Sequence, residues 1–171
     1  VTLAGLAVGL AGAVAIGLGA FGWGLALILA NRILDGLDGA VARANGPSDF
    51  GGYLDIVADF AFYVSVPLGF ALASEDNALP AAVLIASFVL TGVSFLAFAV
   101  MAEKHGAATE AHGPKSFFYS TGLAEGAETI VVFAVMCLFP VWFGMIAYGY
   151  AALCVLTVFQ RSAMAAAMFR S

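Results

Sequence analysis

Apolar residues run along this chain in six long stretches, 1–18, 21–43, 50–73, 79–102, 118–140 and 143–169, and none shows the alternation of a half-buried strand. A helix that crosses a bilayer needs about 20 mostly apolar residues, and only helices or a closed barrel satisfy the backbone in hydrocarbon. The pattern therefore predicts an all-α integral membrane protein, a bundle of six transmembrane helices. The faintest break is the first, where only Gly17, Gly19, Gly22 and Gly24 interrupt the apolar run. The other breaks are plainer: Asn45 to Ser48 after the second stretch, the acidic loop Ser74 to Asn77 after the third, and a short turn near Phe139 to Phe143 before the sixth.

Composition sharpens this picture. The 171 residues are 63% hydrophobic and 10% charged, far from the roughly one quarter charged residues of soluble domains. No polar linker or low-complexity run divides the chain, so 1–171 is read as one membrane domain. Val1 is not a methionine and the first residues are already apolar, so an amphipathic segment is expected to precede them; the apolar run is too long for a signal peptide. Cys137 and Cys154 lie inside apolar stretches and are read as packing residues. With 11 acidic against 6 basic residues, no nucleic-acid partner is expected.

The six basic residues orient the bundle. Arg32 and Arg43 fall towards the end of the second stretch, Lys104 and Lys115 between the fourth and fifth, and Arg161 and Arg170 towards the end of the sixth. With alternating helices all six lie on one side, and the acidic loop Glu75–Asp76 lies on the other. Cytoplasmic loops carry the excess of Lys and Arg, so both termini and that side are expected to be cytoplasmic.

Acidic residues then stand where a membrane helix disfavours them, at a cost of a few kcal/mol each. Asp35 and Asp38 are three apart and share a helix face; Gly51, Asp55 and Asp59 are spaced by four in the next stretch. The short turn between them, with Ser48 or Asp49 as N-cap, implies antiparallel neighbours and gathers four carboxylates near one surface. Such a cluster repels itself unless cations bind. All-oxygen ligation suits Mg²⁺ or Mn²⁺, and no Cys or His set points to zinc. Carboxylate-held hard cations beside a glycine-lined approach point to phosphate chemistry. Taken singly, Gly39 and Gly51 are explained by close helix packing; beside four aspartates they read as room for a ligand against the backbone.

These residues resemble a known family. The pattern DxxDGxxAR, a spacer, then GxxxDxxxD is similar to the signature of the CDP-alcohol phosphatidyltransferases, and Asp35, Asp38, Gly39, Ala42, Arg43, Gly51, Asp55 and Asp59 match it in full across a seven-residue spacer. The start at Val1 is similar to the segment that follows a short amphipathic surface helix in relatives. The resemblance implies that Asp35, Asp38 and Asp55 hold two Mg²⁺ or Mn²⁺ ions, with Asp59 completing the set and serving as base towards the acceptor hydroxyl. It implies that Gly39, Ala42, Arg43 and Gly51 lie against the CDP portion, that CMP leaves, and that the active site sits at the cytoplasmic ends of helices 2 and 3. A homodimer in a prokaryotic membrane is expected on resemblance alone.

The donor is expected to be CDP-diacylglycerol, in phospholipid biosynthesis, with a small polar alcohol as acceptor; CDP-choline or CDP-ethanolamine transfer to a lipid alcohol is the alternative. Lys115, Glu125, Glu128 and Arg161 are candidate acceptor or lipid contacts. The two bases favour a phosphorylated polyol and the two acids a hydroxyl-rich or amine-bearing one. His105 and His112 are read as solvated loop residues. An ion-coupled transporter also uses intramembrane acids, yet no repeated halves are visible and the acids cluster at one surface. An aspartate-rich membrane prenyltransferase would need greater length and a second, distant acidic motif.

Overall fold

The computed structural model describes residues 2–46, 48–105 and 126–169, and of 41–45 the backbone alone. Every regular element among them is helical: α1 (Thr2–Gly17), α2 (Phe21–Asn45), α3 (Asp49–Ala73), α4 (Ala78–Lys104), α5 (Gly126–Leu138) and α6 (Phe143–Phe169). Each helix lies within a few residues of its expected stretch, although of the fifth, 118–140, only α5 is described. Single 3-10 turns, Glu75–Asn77 and Pro140–Trp142, lead into α4 and α6.

Three of these helices, α3, α4 and α6, are long and apolar enough to cross a membrane by length and composition. α2 matches α3 in length but carries Arg32, Asp35, Asp38 and Arg43 in its second half. The outer surface is itself apolar. Leu3, Trp23, Leu72, Leu79, Val131 and Phe159 are all more exposed than half their surface, which water would penalise as a continuous patch and lipid would not. The interior is a column of fully buried Ile16, Ile28, Phe62, Phe70, Leu84, Phe133 and Phe143, with the Phe70 and Phe143 rings stacked at 4.4 Å.

The glycine break is real. Gly19 has a φ of +77°, and its N–H donates to Ile16 O (2.8 Å) while Ala20 N–H donates to Ala15 O (2.9 Å). This is the paired closure of a helix end around a left-handed residue, the conformation that favours glycine. Ser48 is the N-cap of α3: its hydroxyl accepts from Gly51 N–H at 3.1 Å.

One expectation is refined. The short turn after α2 implied that α2 and α3 would be antiparallel neighbours; among the described residues their backbones stay apart, and Arg32 of α2 bridges them by reaching Asp59 and the Phe62 ring of α3. It is α1 that packs against both. The reason is a run of small residues on α1. A Cβ on Gly12 would stand 3.2 Å from Leu27 Cβ on α2, and one on Gly9 would stand 2.5 Å from the Phe62 ring on α3. On the facing side, a Cβ on Gly69 would lie 2.5 Å from the Ala13 carbonyl oxygen. Backbones this close gain dispersion contacts in lipid, where no hydrophobic force drives helices together. The second pair of elements is α4 with α6, joined to the first group through α3 and α4.

Candidate active site

With α1 wedged between them, α2 and α3 face each other across a narrow cleft. Its walls are Thr2, Gly5 and Leu6 of α1, Asn31, Arg32 and Asp35 of α2, and Asp55, Ala58 and Asp59 of α3. Its volume is about 10 Å³, close to that of one water-sized sphere. Three of the four expected carboxylates therefore share one space. Asp38 is turned to α1, where it accepts a hydrogen bond from Thr2 Oγ1.

Arg32 occupies the centre. Its Nη1 lies 3.4 Å from Asp35 Oδ2 and its Nη2 lies 3.2 Å from Asp59 Oδ1. Both distances exceed the roughly 2.7–2.9 Å of a tight charge-assisted bond, so the carboxylates are held loosely. The guanidinium itself is held well. Nε donates to Asn31 Oδ1 at 2.9 Å, and the group sits 4.9 Å above the Phe62 ring centroid. Asn31 is buried and donates in turn to the Gly5 carbonyl at 2.8 Å. The sequence had marked Arg32 only as a charge that orients the bundle. Its position three residues ahead of Asp35, on the same face, was the signal that it belongs with the acids.

A larger cavity of about 290 Å³ opens beside the cleft between α3, α4, α5 and α6. Phe60, Tyr63, Phe88 and Phe95 make it mostly apolar, while Asp59, Thr91, Thr129 and Arg161 give it polar points. Asp59 lines both spaces. Arg161 is only 7% exposed; its Nη1 donates to Thr91 O (3.0 Å) and to Ser94 Oγ (2.7 Å). Thr129 Oγ1 and the Tyr150 hydroxyl share a 2.7 Å hydrogen bond at the α5 wall. Gly92 is needed there, since a Cβ would run into the Phe60 ring. Tyr63 and Thr129 had no signal in the sequence, because each reads as one more interior residue of an apolar helix.

The remaining expected residues divide. Gly51 is exposed and outside the cleft; a Cβ there would stand 2.9 Å from Ser48 Oγ, so the N-cap supplies a local reason for glycine. Glu128 is exposed and does not line the cavity, whereas Gly126 and Thr129 beside it do. Gly39, Ala42 and Arg43 lie in the second half of α2, with the last two side chains outside the described set. Lys115 and Glu125 also lie outside the described residues. Cys137 and Cys154 are both buried and unbridged.

Among the described residues no three ligands converge as a closed ion cage. The donor set nevertheless has the chemistry of one. Asp35, Asp55 and Asp59 offer only carboxylate oxygens to a shared cleft, which suits a hard divalent cation, and a positive group already lies between two of them.

The profile of the CDP-alcohol phosphatidyltransferases matches residues 1–169. The chain belongs to this family. The CDP-alcohol phosphatidyltransferases transfer phosphate-bearing groups from a CDP-alcohol to an alcohol, so a nucleotide-linked donor and a hydroxyl acceptor are the substrates to seat here. The chain is also similar to the inner membrane protein YnjF of Escherichia coli (strain K12), at 49% identity over 161 residues that cover 94% of this chain and 78% of that protein. No solved structure matches significantly.

Proposed function

We propose that this family member moves a phosphatidyl group from CDP-diacylglycerol to a small polar alcohol and releases CMP. The observation that carries the reading is the place of Asp59, on the wall between the carboxylate cleft and the larger cavity. A base must touch the attacking hydroxyl, and the pyrophosphate must lie next to it. In this reading the acceptor enters the cavity and Asp59 takes its hydroxyl proton. The acceptor oxygen then bonds to the phosphorus that carries diacylglycerol, and the bond from that phosphorus to the CMP oxygen breaks. Asp35, Asp38, Asp55 and Asp59 would hold Mg²⁺ or Mn²⁺, which supplies neutralising charge for the pyrophosphate when bound. Asp38 would have to leave Thr2 to take part. Gly39, Ala42, Arg43 and Gly51 are assigned to the CDP portion by the motif.

Arg161 on the cavity wall supports an anionic acceptor such as a phosphorylated polyol, because a guanidinium in an apolar cavity binds phosphate by charge and by paired donors. Glu128, exposed and off that wall, lends no support to an amine-bearing one. All six helices are assigned to a bacterial inner membrane, a location the relative's name supports, and the site to its cytoplasmic side, on the distribution of basic residues. A homodimer is proposed from the family alone.

Purified protein given CDP-diacylglycerol, Mg²⁺ or Mn²⁺ and a panel of labelled phosphorylated and neutral polyols should release CMP with a phosphorylated one. Turnover only with CDP-choline or CDP-ethanolamine would overturn the donor. Asp59→Asn should lose about two to four orders of magnitude in kcat; full turnover by this variant at saturating metal and substrates would remove the base assignment.

A further inference from the structure

We infer that Arg32 is a positioning residue for Asp59: a cation fixed in place by the fold, which orients the base and occupies the charge field of the carboxylate cleft alongside any bound metal. The inference rests on the function proposed above.

Three observations carry it. First, the guanidinium is anchored by groups that are not acids. Nε bonds to Asn31, Asn31 bonds to the Gly5 carbonyl, and the Phe62 face lies beneath the charge. These contacts involve α1, α2 and α3, and they persist if a divalent ion takes the carboxylates. Second, the acids are held at 3.2 and 3.4 Å, so they remain available as ligands while Arg32 stays. Third, the bond to Asp59 uses one oxygen of the residue that lines both cleft and cavity. Asp59 makes no other hydrogen bond among the described residues. A carboxylate restrained at one oxygen has far fewer orientations in which to meet an acceptor hydroxyl, and small misplacements of a reacting group cost rate steeply.

A fixed positive charge beside metal ligands also opposes metal binding. Arg32 should therefore weaken metal affinity while it raises turnover, and a residue that merely supports the fold would change the two together.

The test compares wild type, Arg32→Gln and Arg32→Lys in detergent. Mn²⁺ binding is measured by electron paramagnetic resonance, and CMP release is measured from CDP-diacylglycerol with whichever panel acceptor the wild type uses fastest. Arg32→Gln should bind Mn²⁺ roughly three- to tenfold more tightly, as loss of one nearby unit charge predicts. Its kcat should fall about tenfold or more with acceptor KM little changed. Lysine keeps the charge but not a planar fork able to reach Asn31, Asp35 and Asp59 together; Arg32→Lys should bind Mn²⁺ like the wild type and still lose kcat. This arm decides the question if the glutamine variant does not fold.

Unchanged kcat in both variants overturns the inference, as does Mn²⁺ binding that weakens in Arg32→Gln. If the wild type releases no CMP with any acceptor, the proposed function fails, and the Mn²⁺ comparison alone then decides whether Arg32 opposes metal. If Asp59→Asn is inactive and Arg32→Gln is fully active, the function stands and the role given to Arg32 falls.

Discussion

Asp59 and Arg161 line the same cavity, one on α3 and the other on α6. In the proposed reaction their chemistry divides the work: a carboxylate to accept a proton and a guanidinium to hold an anion. If Arg161 holds the acceptor's phosphate in the ground state and the transition state alike, removing it raises KM more than it lowers kcat. Arg161→Gln should therefore show an acceptor KM raised by about tenfold or more, with kcat within a few-fold, in initial-rate assays across acceptor concentration. Equal loss in both constants for a neutral and a phosphorylated acceptor would instead point to the bonds with Thr91 and Ser94, which join α6 to α4. At this scale the motif aspartates were legible because charge in an apolar stretch is conspicuous. Tyr63, Phe88 and Thr129 were not, since nothing in an apolar helix distinguishes the side that meets a cavity from the side that meets another helix.

Among the elements, α1 has the least distinctive sequence and the most consequential position. It carries no charged residue, yet it separates α2 from α3 and provides both Gly5, which anchors Asn31, and Thr2, which holds Asp38. Glycine is required where the approach is backbone to side chain or backbone to backbone. Gly69→Ala would press a methyl on the Ala13 carbonyl at 2.5 Å, which cannot rotate away; a loss of about 1–3 kcal/mol is expected. Gly149→Ala on α6 meets nothing within 4 Å and should be neutral or slightly stabilising, by up to about 1 kcal/mol. Thermal unfolding of the two variants in one detergent separates them, and equal midpoints would contradict the packing of α1 against α3.

For the whole molecule, the site lies where α2 ends and α3 begins, and the same end of the bundle carries Lys104 at the close of α4. The opposite end carries Glu75 and Asp76. The cytoplasmic placement of the site proposed above rests on this distribution and the positive-inside tendency. Cysteines placed by Asp76→Cys and Lys104→Cys, both at exposed positions, should report this directly. In intact cells a membrane-impermeant maleimide should label the first and reach the second only after lysis. The reverse pattern would invert the topology. Native Cys137 and Cys154 are buried and should contribute little background.

The amino-acid sequence alone determines six apolar stretches, breaks among them at the glycine-rich segment, at Asn45–Ser48 and at Ser74–Asn77, and the acid pairs Asp35–Asp38 and Asp55–Asp59 on two helix faces. These are local matters of hydropathy, turn chemistry and helical spacing, so they need no partner to be read. Which helix touches which depends on where small residues let two backbones meet, and that is a property of pairs. Tertiary structure alone placed α1 between α2 and α3, turned Asp38 towards Thr2, opened a cavity lined by Asp59 and Arg161, and set Arg32 among the carboxylates. The last of these follows from electrostatics in three dimensions: residues 27 positions apart become an ion pair only because α1, packed against both helices, holds them within reach of a long side chain.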